Sequence, residues 1–331
     1  MRICIFGAGA VGGHLAAKLA AAGHEVSAVA RGPNLAVLKS NGIALREGAR
    51  TYTGRLRASA NAAELGAQDV VFVTTKATAL ASIAGAAQAL SHAETLFVFV
   101  QNGIPWWYAQ GLAAERPRPP DLSRLDPGGA LARAIGPERV LGAVVYSSNN
   151  LDAPGVVTNF SAGRNMLVVG RPDDRDAPRV AALRALLVAA GLHSPEVPDI
   201  RAAVWDKLLL NFGSTLCVPL GEPLSALLED ARLRSARERL TAEGRAIALA
   251  HGVRPEDAPR RPGSVGQSSG AAQHKPSMLQ DYELGRPMEV EAMLATPCAF
   301  ARAAGVEAPA LEQLAALTAR LAARKGLYSA P

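Results

Sequence analysis

Cysteine is scarce in this chain, and its three residues, Cys4, Cys217 and Cys298, lie far apart. No CxxC or HxxxH spacing occurs. A disulfide framework and a zinc or other metal site are therefore not expected, and a reducing cytoplasm is the expected home. Long apolar runs are missing as well. Nothing approaches the ~18 uninterrupted apolar residues of a membrane span, so no membrane association is expected. The opening run Ile3–Phe6 is too short for the core of a signal peptide and meets glycines at once. Lysine is rare, with six residues in 331 against twenty-nine arginines. The net charge is +6, but the arginines are scattered. With no basic run and no basic face interleaved with aromatics, nucleic acid is not an expected partner; the scattered charge reads as solubility, with a mild pull on small anions as the functional alternative. The rarity of lysine marks each one that falls inside a polar motif, because a partly buried lysine gives up its proton near neutral pH and an arginine does not.

What is present is ample material for a core: 49% of residues are hydrophobic and 19% charged. The length suits roughly two domains. In the first half, short apolar runs alternate with helical spacing. Strands are predicted at 2–6, 25–30, 69–75, 95–100 and 139–146, with helices at 10–22 and 79–90 between them. That alternation implies a parallel sheet covered on both faces. Short runs at 155–158 and 166–169 predict an antiparallel addition at one edge, and Pro178 opens a last helix to 190. From Asp199 the strand signal ends, and helical spacing covers 200–216, 224–250, 287–304 and 309–323. The expected fold is α/β: a Rossmann-type doubly wound parallel sheet over 1–198, followed by an all-helical substrate domain over 199–331. The segments 115–129 and 252–276, rich in proline and glycine, read as loop insertions, the second a mobile one.

Gly7-Ala8-Gly9-Ala10-Val11-Gly12 follows the first strand and opens the first helix, the context in which a GxGxxG loop cradles a pyrophosphate. Gly7 permits the turn, Gly9 lets the backbone approach the phosphates, and Gly12 lets helix and strand pack closely. The helix N-terminus then offers its free N–H groups to the anion. At the tip of the second strand, where sites for NAD place an acid, the chain reads Val29-Ala30-Arg31-Gly32. Arg31 suits a 2′-phosphate, so NADP(H) is the expected cofactor. Thr75-Lys76 and Gln101-Asn102-Gly103 end the third and fourth strands, where open α/β sheets bind ligands, so Lys76 and Asn102 are placed at the cofactor or substrate. Asn102-Gly103 taken alone is an ordinary turn signal.

In the helical half, Lys207 and Asn211 stand four apart on one face of a leucine-rich helix, where they require polar partners or a water-lined cleft. Ser277 stands before a helical run and reads equally as a cap; Glu289 reads equally as a first-turn carboxylate. Together the GxGxxG loop, Thr75-Lys76, Gln101-Asn102-Gly103, Lys207-x-x-x-Asn211 and Lys275-x-Ser277-Met278-Leu279-Gln280-Asp281 with Glu289 beyond resemble the ketopantoate reductase (2-dehydropantoate 2-reductase) family over nearly the whole chain. The resemblance implies an NADPH-dependent oxidoreductase of pantothenate biosynthesis that reduces a 2-keto acid. It implies Lys207 as general acid, Glu289 as support of the polar network, Lys76 and Asn102 on cofactor and substrate, and Asn211 and Ser277 on the keto acid. A homodimer is compatible with it. There is one departure. Relatives continue the Lys-Asn helix into Asn-Pro-Leu/Ile-Thr/Ser-Ala, and here the segment is Thr215-Leu216-Cys217-Val218-Pro219. Thr215 thus stands for a pocket asparagine, which predicts a weaker preference for ketopantoate. A more apolar 2-keto acid as substrate, or a non-catalytic NADP-binding sensor on the same fold, are the alternatives.

Overall fold

The structure is a computed structural model that describes residues 1–175, 177–262 and 275–329. The chain divides into two compact units. The first comprises Met1–Gln101, Gly128–Ile200 and the described part of Pro259–Gly263; the second comprises Asn102–Pro127, Arg201–Ala258 and the described part of Ser264–Pro331. The change of unit between Ile200 and Arg201 lies beside the expected boundary at 198/199. Residues 102–127 group instead with the helices. Residues 263–274 of the loop expected over 252–276 lie outside the described residues.

In the first unit the strands are β1 (Arg2–Phe6), β2 (Glu25–Val29), β3 (Ile43–Glu47), β4 (Arg50–Gly54), β5 (Arg57–Ser59), β6 (Val70–Val73), β7 (Leu96–Phe99), β8 (Val140–Val145), β9 (Asn149–Ala153), β10 (Val156–Asn159) and β11 (Leu167–Gly170). The helices are α1 (Ala10–Ala21), α2 (Gly32–Ser40), α3 (Ala81–Leu90), α4 (Ala130–Ile135) and α5 (Pro178–Ala189). A seven-stranded sheet runs in the order β11-β8-β7-β6-β1-β2-β5. All its neighbours are parallel except β11 on β8, the antiparallel edge expected from the sequence. β6 and β7 are buried along their whole length, which is why they read as unbroken apolar runs. The chain builds outward from β1 through β2 to β5, then returns to β6 on the other side. The reversal between β1 and β6 makes a topological switch point, and ligands of open α/β sheets bind outside the carboxyl ends of strands at such points.

A second sheet, order β4-β3-β10-β9, was not expected, and it takes in the run at 155–158 that was assigned to the edge of the main sheet. It covers the face of α1 turned away from the main sheet, so α1 packs against both. Leu15, Ala16, Ala17 and Leu19 are all fully buried as a result. The same covering buries His14, Lys18 and Glu47. Lys18 forms an ion pair with Glu47, whose other oxygen accepts a hydrogen bond from the Asn165 amide. The Lys18 ammonium lies 4.1 Å from the Tyr52 ring centroid.

The second unit carries α6 (Ile200–Thr215), α7 (Cys217–Leu220), α8 (Leu224–Glu229), α9 (Ala231–Ala250), α10 (Ser277–Glu283), α11 (Thr296–Ala303) and α12 (Pro309–Arg324). Two expected helices are corrected. The run 224–250 breaks at Asp230, whose carboxylate accepts from the N–H groups of Arg232 and Leu233 and starts α9 afresh. The run 287–304 has no regular structure as far as Glu289 and then forms a π-helical turn, Glu291–Ala295, before α11. The segment 102–127 joins this unit through a buried aromatic cluster. The guanidinium of Arg201, fully buried on α6, donates to the Tyr108 carbonyl at 3.0 and 2.9 Å and to the Gln110 carbonyl at 2.7 Å. Trp205 Nε1 donates to the Tyr108 hydroxyl at 2.8 Å.

Candidate functional site

The glycine loop sits at the switch point. Gly7 adopts φ +106°, a conformation that favours glycine, and turns the chain from β1 into α1. A Cβ on Gly12 would stand 2.2 Å from the Gly7 carbonyl oxygen, so only glycine lets α1 begin this close to the strand. A Cβ on Gly9 would meet nothing within 4 Å, so the backbone there faces open space. Gly9 is the N-cap of α1, no side chain caps the helix, and its first turn holds no acid. The first helical bond runs from Gly13 N–H to the Gly9 carbonyl at 2.7 Å, which leaves the N–H groups of Ala10, Val11 and Gly12 before it as the donors of an anion site.

Arg31 is exposed and forms the N-cap residue of α2. Thr74 donates its hydroxyl to the Gly7 carbonyl at 2.8 Å, joining the end of β6 to the loop. Lys76 follows, half-buried, at the cap of a short 3-10 turn. The Gln101 amide donates to the carbonyls of Val73 and Thr75 at 2.7 and 2.9 Å, fixing the ends of β6 and β7 together. Three buried oxygens then have no hydrogen-bond partner among the described residues: Thr75 Oγ1, Gln101 Oε1 and Ser147 Oγ. They follow β6, β7 and β8, adjacent parallel strands. Buried polar atoms are normally paired, so this row fits a polar ligand such as the ribose and carboxamide of a nicotinamide nucleotide. Ser147 escaped the sequence reading. Its signal is a hydroxyl just past the carboxyl end of the apolar run 140–145, the position that open α/β sheets give to ligand contacts.

In the second unit, Asn102 is half-buried and Gly103 has φ +82°. A Cβ on Gly103 would lie 2.5 Å from the Ala292 backbone, and Ile104 N–H donates to the Ala292 carbonyl at 2.8 Å. The turn after β7 is thus seated on the π-helical turn that follows Glu289. Single π turns occur often at functional sites. Glu289 is 7% exposed, just ahead of that turn rather than in the first turn of a helix, where Glu291 stands. Ser277 is exposed and is the first residue of α10 with Pro276 at the cap position, so it does not cap the helix.

Lys207 and Asn211 lie on α6, both half-buried. The helix is held close to α9: a Cβ on Gly244 would come within 2.6 Å of Leu209 and Phe212. Asn211 Nδ2 is buried and has no hydrogen-bond partner among the described residues. Thr215 is only 1% exposed, and its hydroxyl donates to the Asn211 carbonyl at 2.8 Å. Its single donor is therefore committed within the helix. A groove of about 490 Å³ between α6 and α9, lined by Asp206, Leu209, Leu210 and arginines 234, 237 and 245, contains none of the expected site residues. Among the described residues, no group of His, Cys, Asp and Glu is placed to hold a metal ion, and no helix is long and apolar enough to cross a membrane.

A glycine loop at a switch point, a row of oxygens without partners along adjacent strand ends, and a helical unit bearing Lys207 and Asn211 are the features of a Rossmann-type oxidoreductase. The model of the ketopantoate reductase PanE/ApbA family matches residues 3–173, and that of its C-terminal domain matches 199–322. The chain belongs to this family, whose members are oxidoreductases acting on a keto/hydroxy group. It is 40% identical to a 2-dehydropantoate 2-reductase of Mesorhizobium japonicum, covering 99% of this chain and 100% of the relative. A crystal structure from Ralstonia solanacearum, provisionally named a ketopantoate reductase, superimposes with a TM-score of 0.83 at 35% identity, covering 99% of both chains. That of 2-dehydropantoate 2-reductase from Geobacter metallireducens gives 0.79 at 26% identity, covering 97% of this chain and 99% of the other.

Proposed function

We propose that this protein is an NADPH-dependent reductase of 2-keto acids, acting on 2-dehydropantoate or a close analogue. Reduction of the ketone needs a hydride at carbon and a proton at oxygen, and a bound nicotinamide cofactor supplies the hydride. This chain's residues account for the rest. The first-turn N–H groups of α1 hold the pyrophosphate, Arg31 pairs with the 2′-phosphate, and the atoms left unsatisfied at Thr75, Gln101 and Ser147 receive the nicotinamide nucleotide. Lys76 and Asn102 contact cofactor and substrate. The Lys207 ammonium stabilises the charge that develops on the ketone oxygen and then delivers the proton. The buried carboxylate of Glu289 favours the charged form of that network. Asn211 and Ser277 bind the keto acid.

The observation that carries this reading is the Asn211 amide: a buried donor without a partner among the described residues, one helical turn from the rare lysine, is what a ligand with an acceptor oxygen completes. Within the same reaction, a more apolar 2-keto acid is favoured by Thr215, whose committed hydroxyl gives a substrate hydroxyl no donor. The experiment is NADPH consumption against a panel of 2-keto acids that includes 2-dehydropantoate. Turnover on several members is the expected result. NADPH binding without turnover on any of them refutes the reductase reading in favour of a nucleotide sensor.

A further inference from the structure

Asn34, on the first turn of α2, uses both ends of its amide. Its Nδ2 donates to the Ala8 carbonyl at 2.7 Å, and its Oδ1 accepts from the Gly155 N–H at 2.7 Å. The one side chain therefore ties the glycine loop to the turn between β9 and β10. That turn is itself fixed. Gly155 has φ +70°, its Cβ position lies 2.7 Å from Val37 of α2, and its carbonyl accepts from Ala44 N–H at 2.8 Å. Asn34 is anchored on a rigid support and holds the carbonyl of the Ala8–Gly9 peptide. The other side of that peptide is held by a bond from Gly9 N–H to the Gly7 carbonyl at 2.8 Å.

The orientation of this peptide matters for anion binding. Gly9 has no side chain and faces open space, so its own sterics do little to fix the backbone. Were the peptide to rotate, the Ala8 carbonyl would turn its negative end toward the space where a phosphate must approach. Gly9 also caps α1, at φ −77° and ψ −155°, so the same rotation would redirect the Ala10 and Val11 N–H groups.

We propose that Asn34 is a positioning residue for the cofactor's pyrophosphate, acting through the Ala8 carbonyl. The inference rests on the proposed cofactor binding, and it separates Asn34 from Arg31. The pyrophosphate is common to NADPH and NADH, whereas the 2′-phosphate is not. Loss of Asn34 therefore weakens both cofactors by the same factor; loss of Arg31 weakens NADPH alone.

The test is the dissociation constant of NADPH and of NADH for wild type, Asn34→Ala, Asn34→Asp and Arg31→Ala, with Tm recorded for each. Asn34→Ala is expected to raise both constants roughly 5- to 10-fold, the worth of one hydrogen bond, with their ratio held within ~2-fold and kcat at saturating cofactor within ~2-fold. Asn34→Asp keeps the acceptor for Gly155 but loses the donor, so it is expected to bind no better than Asn34→Ala. Wild-type affinity in either Asn34 variant overturns the inference, as does a lowered Tm with unchanged constants, which is what a merely structural role gives. A wild type that binds neither nucleotide overturns the functional reading itself, and this inference with it.

Discussion

Lys18 and Lys207 both stand on helices in apolar surroundings, and the two differ in exposure and in the group each has beside it. Lys18 is 4% exposed and Glu47 7%; the ammonium has its carboxylate and an aromatic face, and the carboxylate has an amide on its other oxygen. That network extends through Asn165 to Asn159 and Asn149, each joined at 2.7 Å, and ends at the Asn149 amide nitrogen, which has no partner among the described residues. Lys207 is half-buried, and its neighbour one turn on, Asn211, keeps a buried donor without a partner among the described residues. Burial of a lysine alone does not mark a reactive centre. An ion pair whose ammonium and carboxylate are both partnered fixes geometry, whereas hydrogen-bonding capacity left over beside a partly solvated lysine is what a substrate can use.

The largest effect expected from this comparison is on stability in the first region. Lys18→Met leaves the Glu47 carboxylate buried and uncompensated, a change that costs about 3–5 kcal/mol. Adding Glu47→Leu removes the stranded charge and is expected to restore much of the loss. Urea unfolding of the three proteins measures both steps. If the single variant is as stable as wild type, Lys18 and Glu47 are not a dry, mutually compensating ion pair.

The mirror experiment falls on the second region. Lys207→Ala is expected to lower kcat by at least ~100-fold, the scale of a general acid, with NADPH affinity and Tm close to wild type. The opposite pattern, a large loss of stability with most of the turnover kept, would make Lys207 a second Lys18.

A smaller effect sharpens the dry character of the first region. His14 lies one turn before Lys18 and is fully buried; burial first, and the Lys18 charge second, push its pKa down to about 3 from 6.5. Neither ring nitrogen has a hydrogen-bond partner among the described residues. Below pH 6.5 the unfolded chain takes up a proton at this site that the folded chain refuses. Stability at His14 is therefore full above pH 6.5 and falls as pH drops toward 3, by at most ~1.4 kcal/mol per pH unit. His14→Leu should flatten the fall between pH 6.5 and 5, above the range where most carboxylates titrate. Identical slopes in the two proteins would show that the folded chain admits the proton.

The first region also shows where sequence reading fails. The strands of the main sheet are legible because both faces are buried, so β6 and β7 are plain apolar runs. The glycine loop is legible because a tight turn, a close approach and a helix start constrain three positions at once. The second sheet is not. Its inner face carries the polar row Asn149, Asn159 and Glu47, directly paired across three strands, where an alternating pattern would show apolar residues. β9, Asn-Asn-Leu-Asp-Ala, carries little of the composition of strands, and β4, Arg-Thr-Tyr-Thr-Gly, has strand formers but no apolar run. Without that sheet, α1 reads as a helix with one solvent face, and neither the burial of Lys18 nor the bridging position of Asn34 can be foreseen. On α6 the spacing of Lys207 and Asn211 was legible from helical geometry. The bond from Thr215 back to Asn211 was not, because a threonine hydroxyl in a helix points to the preceding turn or to a ligand with equal ease from sequence.

Thr215 gives the smallest effect and the finest test of the comparison. Its hydroxyl and that of Ser214 both donate to the Asn211 carbonyl, at 2.8 and 3.1 Å. Asn211 is thus braced through its backbone while its side-chain donor has no partner among the described residues, so the helix orients the amide without consuming it. Thr215→Val keeps the branched shape and removes one brace. At 1% exposure the substituted methyl reaches no solvent, so the expected cost is about 0.5–1.5 kcal/mol of stability. The preference between 2-dehydropantoate and an apolar 2-keto acid is expected to stay within ~2-fold, because a donor held by the helix does not discriminate between substrates; a site that hydrogen-bonds a substrate hydroxyl discriminates by far more. Relative kcat/KM values for the two acids decide the matter. A shift beyond ~10-fold toward the apolar acid would mean that the hydroxyl leaves the Asn211 carbonyl for the substrate during turnover, and the distinction between saturated and unsaturated polar groups would then have to be drawn on the enzyme with its keto acid bound.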